Sequence, residues 1–260
     1  MSKHHLLPNS EHPFTSRMLE SVGAKGIDDL FSDIPEEILL KGGLNVVDSM
    51  SEMEIERHIR GILQKNTTAE GHRCFLGGGV WNHHVPSVVD TIISRSEFYT
   101  SYTPYQPEVS QGMLQALFEY QSLICDLTGM EVANSSNYDW ATAAGESCRM
   151  AYRINKKRRI LVSRAVGSDR LSTIRSYCSP LGVSIDVIDF DQASGQTSSS
   201  QIEEKLNDEV SALYIENPNF LGIVESEILT LSDLAHKRGA LLITGVNPIS
   251  LGLLKPPGAY

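Results

Sequence analysis

From Met130 onward, short apolar runs alternate with stretches whose apolar residues recur every three or four positions. The runs Glu131–Ala133, Arg159–Ser163, Ile185–Phe190, Ala212–Glu216 and Leu241–Thr244 predict strands. Helical spacing covers Ser168–Leu181, ended by Gly182, then Ser200–Leu206, and Thr230–Arg238, ended by Gly239. Strands and helices taking turns at this interval predict a doubly wound α/β domain with a mainly parallel sheet. The Ser/Gly/Gln stretch 194–200 reads as a loop inside that domain.

The first half of the chain has the helical period alone. Ser110–Thr128 carries Leu114, Leu117, Phe118, Gln121, Ile124, Cys125 and Thr128 on one face. That pattern predicts a core-facing helix capped by Ser110 and closed by Gly129. Asp139–Tyr152 presents Ala141, Ala144, Gly145 and Cys148, small residues that permit close approach to a sheet or another helix. Val85–Phe98 reads as one helix with Pro86 in its first turn. Residues 1–70 predict a helical N-terminal extension, with a short helix over Thr15–Gly23 and helical turns at Asp28–Phe31 and Pro35–Leu40. A longer helix follows over Ser51–Lys65, where Glu54 stands three residues after Ser51, the spacing of a capping box. The expected organisation is an extension over 1–70 and one α/β domain over 71–260.

Composition narrows the class of partner. With 22 Lys and Arg against 32 Asp and Glu, the formal charge is −10, so no basic surplus exists to neutralise a nucleic-acid backbone. The run Lys156-Lys157-Arg158-Arg159 is read as a helix C-terminus, where cations suit the helix dipole. Cys74, Cys125, Cys148 and Cys178 form no CxxC pair, which fits free thiols in a reducing cytoplasm. His83-His84 are adjacent and lack a metal-ligand spacing, so no metal is expected. No signal peptide and no run of membrane-spanning length is visible, and a soluble, cytoplasmic protein is expected.

The richest chemistry lies between Tyr99 and Asp139. Tyr99, Tyr102 and Tyr105 crowd a loop stiffened by Pro104 and Pro107. The polar turn Asn134-Ser135-Ser136-Asn137-Tyr138-Asp139 then opens the next helix, where an anion seat or a plain cap from Ser135 or Ser136 are the two readings. Gly77-Gly78-Gly79 allows close backbone approach but does not form the dinucleotide fingerprint.

The stretch YTPYQPEVSQGMLQALFEYQSLICDLTGMEVANSSNYDWATA resembles the hallmark segment of the glycine cleavage system P-protein. Within that family it is most similar to the alpha, or first, subunit of the split glycine dehydrogenase (decarboxylating). The likeness runs from FSDIPEEI near the start to LGLLKPPGAY at the end. It implies an aminotransferase-like large domain (pyridoxal-phosphate fold type I), here without its C-terminal small domain. In such folds the strand–turn–helix junction holds the cofactor phosphate, and an acid near the end of the strand matching Leu241–Thr244 meets the pyridine nitrogen. This chain has Asn247 after that strand, and Lys255 comes too early for the Schiff-base lysine. The resemblance therefore places pyridoxal phosphate on a beta subunit, with two alpha and two beta chains expected. Asn134–Asp139 is then expected to be a helix cap only.

On the same reading the paired chains decarboxylate glycine and pass the aminomethyl group to the lipoyl arm of H-protein. The alpha chain would line the pocket with Tyr102, Thr103, Tyr105, Gln106 and Glu108 from the loop, and Asn134, Tyr138 and Asp139 from the turn. It would hold no cofactor lysine and no metal. The His/Gly loop near residue 80 would lie near the shared site. Trp140, where the family often has a small residue, would narrow the junction or cap an interface. The rival expectation is a cofactorless scaffold for assembly or H-protein docking. An independent pyridoxal enzyme is the third, and weakest, alternative.

Overall fold

The structure, a computed structural model, describes residues 6–7, 9–75, 77, 79–101 and 104–260. The chain divides into two compact units, Met1–Arg73 and Cys74–Tyr260.

The first unit holds α1 (Phe14–Ser21), a 3-10 turn over Ile27–Phe31 and α2 (Glu52–Leu63). The predicted capping box at α2 is present. The Ser51 backbone N–H donates to Glu54 Oε2 at 2.9 Å, and the Ser51 hydroxyl donates to the same oxygen at 2.6 Å. Pro35–Leu40 forms a single turn closed by Ile38 N–H to the Pro35 carbonyl. No residue of α1 or α2 is buried.

The second unit is built on a four-stranded parallel sheet of order β2-β1-β3-β4. Its strands are β1 (Arg159–Ser163), β2 (Ser184–Ile188), β3 (Val210–Glu216) and β4 (Leu241–Gly245). Alternation along each strand sends side chains to two separate cores. Ile160 and Val162 of β1, Ala212 and Tyr214 of β3, and Leu241 and Ile243 of β4 meet Ala144, Cys148, Ile174 and Cys178. These come from α6 (Trp140–Asn155) and α7 (Ser168–Cys178). Leu161, Leu213, Ile215 and Leu242 face the other way, onto Ile202, Ile228, Leu231 and Ala235. Those belong to α8 (Ser199–Lys205) and α9 (Ile228–Lys237). With helices on both faces the sheet is doubly wound, as its pattern predicts. Each fully buried Leu or Ile contributes about 1.5–3 kcal/mol, so β3, buried along its whole length, is the spine of the unit.

The small face of α6 does what its sequence suggests. A Cβ on Gly145 would lie 2.9 Å from Cγ of Tyr177 on α7, so the two helices touch where a larger residue has no room. Lys156 ends α6 in a left-handed conformation. Lys157 donates to the Gly239 carbonyl at 2.7 Å, so part of the basic run serves a helix terminus.

Three expectations are corrected. Val85–Phe98 is two helices, α3 (Ser87–Ile93) and α4 (Ser96–Tyr99), because Arg95 turns extended between them. Glu131–Ala133 is no strand: no neighbouring strand pairs with it, and the Ala133 carbonyl accepts from the Gln121 side chain instead. The third is α5 (Pro107–Thr128), which begins at Pro107, not after a Ser110 cap. Ser110 interrupts it with φ −134° and ψ 29°. Gly129 ends it as expected, at φ 68°, but its apolar face is not core. Leu114, Leu117, Ile124 and Cys125 are half-buried, and Phe118 is 64% exposed. The physical reason is cover: the sheet's cores are completed by α6 to α9, leaving α5 no layer to bury in. Its C-terminal end is seated, however. A Cβ on Gly258 would fall 1.9 Å from the Gly129 carbonyl oxygen.

Candidate functional site

The polar turn before α6 is organised by Asp139. Its backbone is extended, so its carboxylate folds back onto the helix start, and Oδ1 accepts from Thr142 N–H at 2.7 Å. The Thr142 hydroxyl accepts from the Asp139 N–H at 3.2 Å. This reciprocal cap satisfies helix N–H groups that would otherwise lack partners. It also holds the Asp139 carboxyl below the usual carboxylate range, chiefly through the Thr142 backbone N–H. The expected capping by Ser135 or Ser136 is thus corrected to Asp139. Ser136 instead adopts φ 140°, a conformation rare for a side-chain-bearing residue.

The remaining predicted site residues fall into two groups. Tyr102 and Thr103 lie outside the described residues. Tyr105 is 82% exposed, Gln106 occupies the N-cap position of α5, and Glu108 lies in its first turn. Asn134 and Tyr138 are exposed, the latter completely. Gln121, which touches the turn through Ala133, stands about 20 Å along α5 from Glu108 at 1.5 Å per residue. Among the described residues, no hydrogen bond, ion pair or ring contact joins loop to turn. A cleft of about 580 Å³ opens at the loop end, lined by Phe98, Ser101, Val109, Ser110 and Met113. A second, about 750 Å³, runs beside β4 between Val132, Met150, Ile243 and Tyr260.

A different set of residues occupies the carboxyl rim of the sheet, where open α/β sheets bind ligands. Arg170 of α7 makes two bonds to Glu216, the last residue of β3; the second joins Nη2 to Oε2 at 3.1 Å. Arg170 is 5% exposed and Glu216 1%. Burial raises the Glu216 carboxyl above its ordinary value, against the pull of Arg170. The Tyr214 hydroxyl donates to Glu216 at 3.2 Å, and burial followed by the Glu216 charge pushes that phenol up. The guanidinium lies 4.3 Å from the Trp140 ring centroid. Trp81 packs 6.4 Å away on Trp140, and Gly79 approaches Phe220 closely. Gly79 and Trp81 therefore reach this rim. Beside the cluster, Glu225 accepts from Thr197 N–H and hydroxyl and from Asn219, tying together the loops after β2 and β3.

The family resemblance singled out Trp140, but neither it nor the residue pattern pointed to Arg170 and Glu216, which lie 46 positions apart. The available signal was a carboxylate ending the otherwise apolar run Ala212–Glu216.

Among the described residues, those at the rim and at the start of α6 do not fit a pyridoxal phosphate. The seat for a phosphate at the start of α6 is taken by the Asp139 carboxylate. Asn247, after β4, spends its side-chain oxygen on Ile249 N–H. Lys157 and Lys205 are engaged with backbone carbonyls, and Lys237 and Lys255 are exposed. Among the described residues no group of His, Cys, Asp or Glu could hold a metal ion, and no helix is long and apolar enough to cross a membrane.

The comparisons with known proteins agree with the architecture. The family model of the glycine cleavage system P-protein matches residues 3–260. "Probable glycine dehydrogenase (decarboxylating) subunit 1" of Saccharolobus islandicus (strain L.S.2.15 / Lassen #1) is 46% identical over all of this chain and 57% of its own length. The Bacillus cytotoxicus protein of the same description is 42% identical over 99% of this chain and 57% of its own. A crystal structure of glycine decarboxylase (P-protein) in inhibitor-bound form superposes with TM-score 0.80 at 39% identity, covering 100% of this chain and 56% of that one. A Lactobacillus brevis glutamate decarboxylase shares the fold alone, at TM-score 0.54 and 11% identity, over 85% of this chain and 53% of its own. The chain thus spans 57% of the curated relatives it matches. The sheet, its doubly wound helices and the match along nearly the whole sequence place this chain in the glycine cleavage system P-protein family.

Proposed function

We propose that the chain serves as the alpha subunit of glycine dehydrogenase (decarboxylating), working in the cytoplasm beside a beta subunit that carries pyridoxal phosphate. The observation that carries this reading is a mismatch. A chain 46% identical to proteins described as subunit 1 has its own crevice filled by Trp140, Arg170 and Glu216. Meanwhile Tyr105, Asn134 and Tyr138 stand exposed. Such groups are suited to completing a neighbour's pocket. Tyr102, Thr103, Tyr105, Gln106 and Glu108 would shape a slot for glycine and exclude water. Asn134 and Tyr138 would orient the lipoyl arm of H-protein, while Asp139 fixes the turn that presents them. Two alpha and two beta chains are the expected assembly.

The second reading, a scaffold for assembly or H-protein docking, is favoured by one observation: among the described residues, no hydrogen bond, ion pair or ring contact joins loop to turn. Reconstitution with the beta subunit and H-protein separates the two, with glycine–bicarbonate exchange as the assay. On the proposed reading, Tyr102→Phe with Glu108→Gln lowers exchange at least tenfold while the subunits still co-elute. Unchanged exchange in an intact complex would overturn the site and favour the scaffold.

A further inference from the structure

The sheet order β2-β1-β3-β4 reverses between β1 and β3, which makes their carboxyl ends the place where a ligand of this architecture would sit. Arg170 enters from the β1 side through α7, and Glu216 closes β3. The Trp140 indole covers both. A Cβ on Gly245, the last residue of β4, would lie 3.0 Å from Trp140 Nε1, 3.0 Å from Tyr214 Oη and 3.0 Å from Glu216 Cγ. The indole nitrogen and the Tyr214 hydroxyl converge beside Gly245, that hydroxyl donates to Glu216, and Glu216 accepts from Arg170. Arg170 Nη1 turns to Asp169 at 3.3 Å. Phe220 flanks the guanidinium at 5.8 Å, and Trp81 backs the indole.

A guanidinium, a phenol hydroxyl and flat aromatic walls are the groups that would receive an anionic heteroaromatic ring. In this chain the ring is Trp140 and the anion is Glu216. Arg170, Glu216 and the Tyr214 hydroxyl each have a partner inside the cluster. A buried Arg–Glu pair needs such complete satisfaction to offset desolvation.

We propose that this rim is a ligand crevice closed from within, with Trp140 as its resident ring, and that removing the indole uncovers a latent site for a flat heteroaromatic molecule. The inference goes beyond the subunit assignment and uses none of the partner chemistry. A failed exchange assay would leave it untouched.

The test uses the full chain alone. Trp140→Gly should lower the melting temperature, and millimolar indole should restore most of the loss while leaving the native chain unchanged. An indole effect of equal size on both proteins, or none on the variant, would overturn the proposal. Should the variant not fold, Trp81→Phe leaves Trp140 as the sole tryptophan of the two, and its fluorescence then reports on the crevice directly. Pyridoxine 5′-phosphate, which lacks an aldehyde and cannot form imines with surface lysines, should give no saturable quenching. Saturable quenching would show an open crevice and reject the idea.

Discussion

Helices α5 and α6 are consecutive, both are amphipathic, and they meet opposite fates. The richer in large apolar residues, α5, has none buried. The poorer, α6, built from Ala, Gly and Cys on its inner face, buries Ala141, Ala144, Gly145, Cys148 and Ala151. Apolar content therefore does not decide burial here; a matching surface does. Small side chains let α6 lie directly on β3, β4 and α7, whereas α5 projects Phe118, Leu123 and Leu127 outward. A helix with large exposed apolar groups is shaped for cover supplied from elsewhere.

The same substitution made on both helices gives the sharpest contrast. Ala144→Asp would place a carboxylate among Ile160, Val162, Cys148 and Tyr214 without a partner. It should cost about 3–5 kcal/mol, the penalty of an uncompensated buried charge, and leave little cooperative unfolding in urea. Gly145→Ala should cost about 1–3 kcal/mol by overpacking against Tyr177. That cost should shrink in a Tyr177→Ala background, as a double-mutant cycle would register. Phe118→Asp should change the stability of the isolated chain by no more than about 0.5 kcal/mol, as at ordinary surface positions. A loss near that of Ala144→Asp would mean that α5 belongs to the core after all.

Period and punctuation made the sheet unit legible. β1 appears at the predicted residues, β2 to β4 lie within two positions of their predicted ends, and Gly129, Gly182 and Gly239 end helices with positive φ. Local chemistry suffices for such elements because each strand and its following helix are coded in one short window. The rim cluster was less accessible. Trp140, Arg170 and Glu216 share no motif, and only the parallel pairing of β1 with β3 brings them together. The cap at α6 was misassigned for a subtler reason: Ser135, Ser136 and Asp139 are all able cap residues, and the choice among them depends on where the chain turns extended.

Strand order also carries a kinetic consequence. β1 lies at the middle of the ladder, yet its partner β3 follows only about 50 residues later, after β2 and α8 have been made. Closing that distance adds little to the free energy of the finished sheet, since loop entropy grows only logarithmically with length. It does slow assembly. A nascent chain therefore presents Ile160, Leu161 and Val162 with one flank open until Val210 to Tyr214 emerge, and an unpaired strand edge of this kind is open to mispairing in that interval.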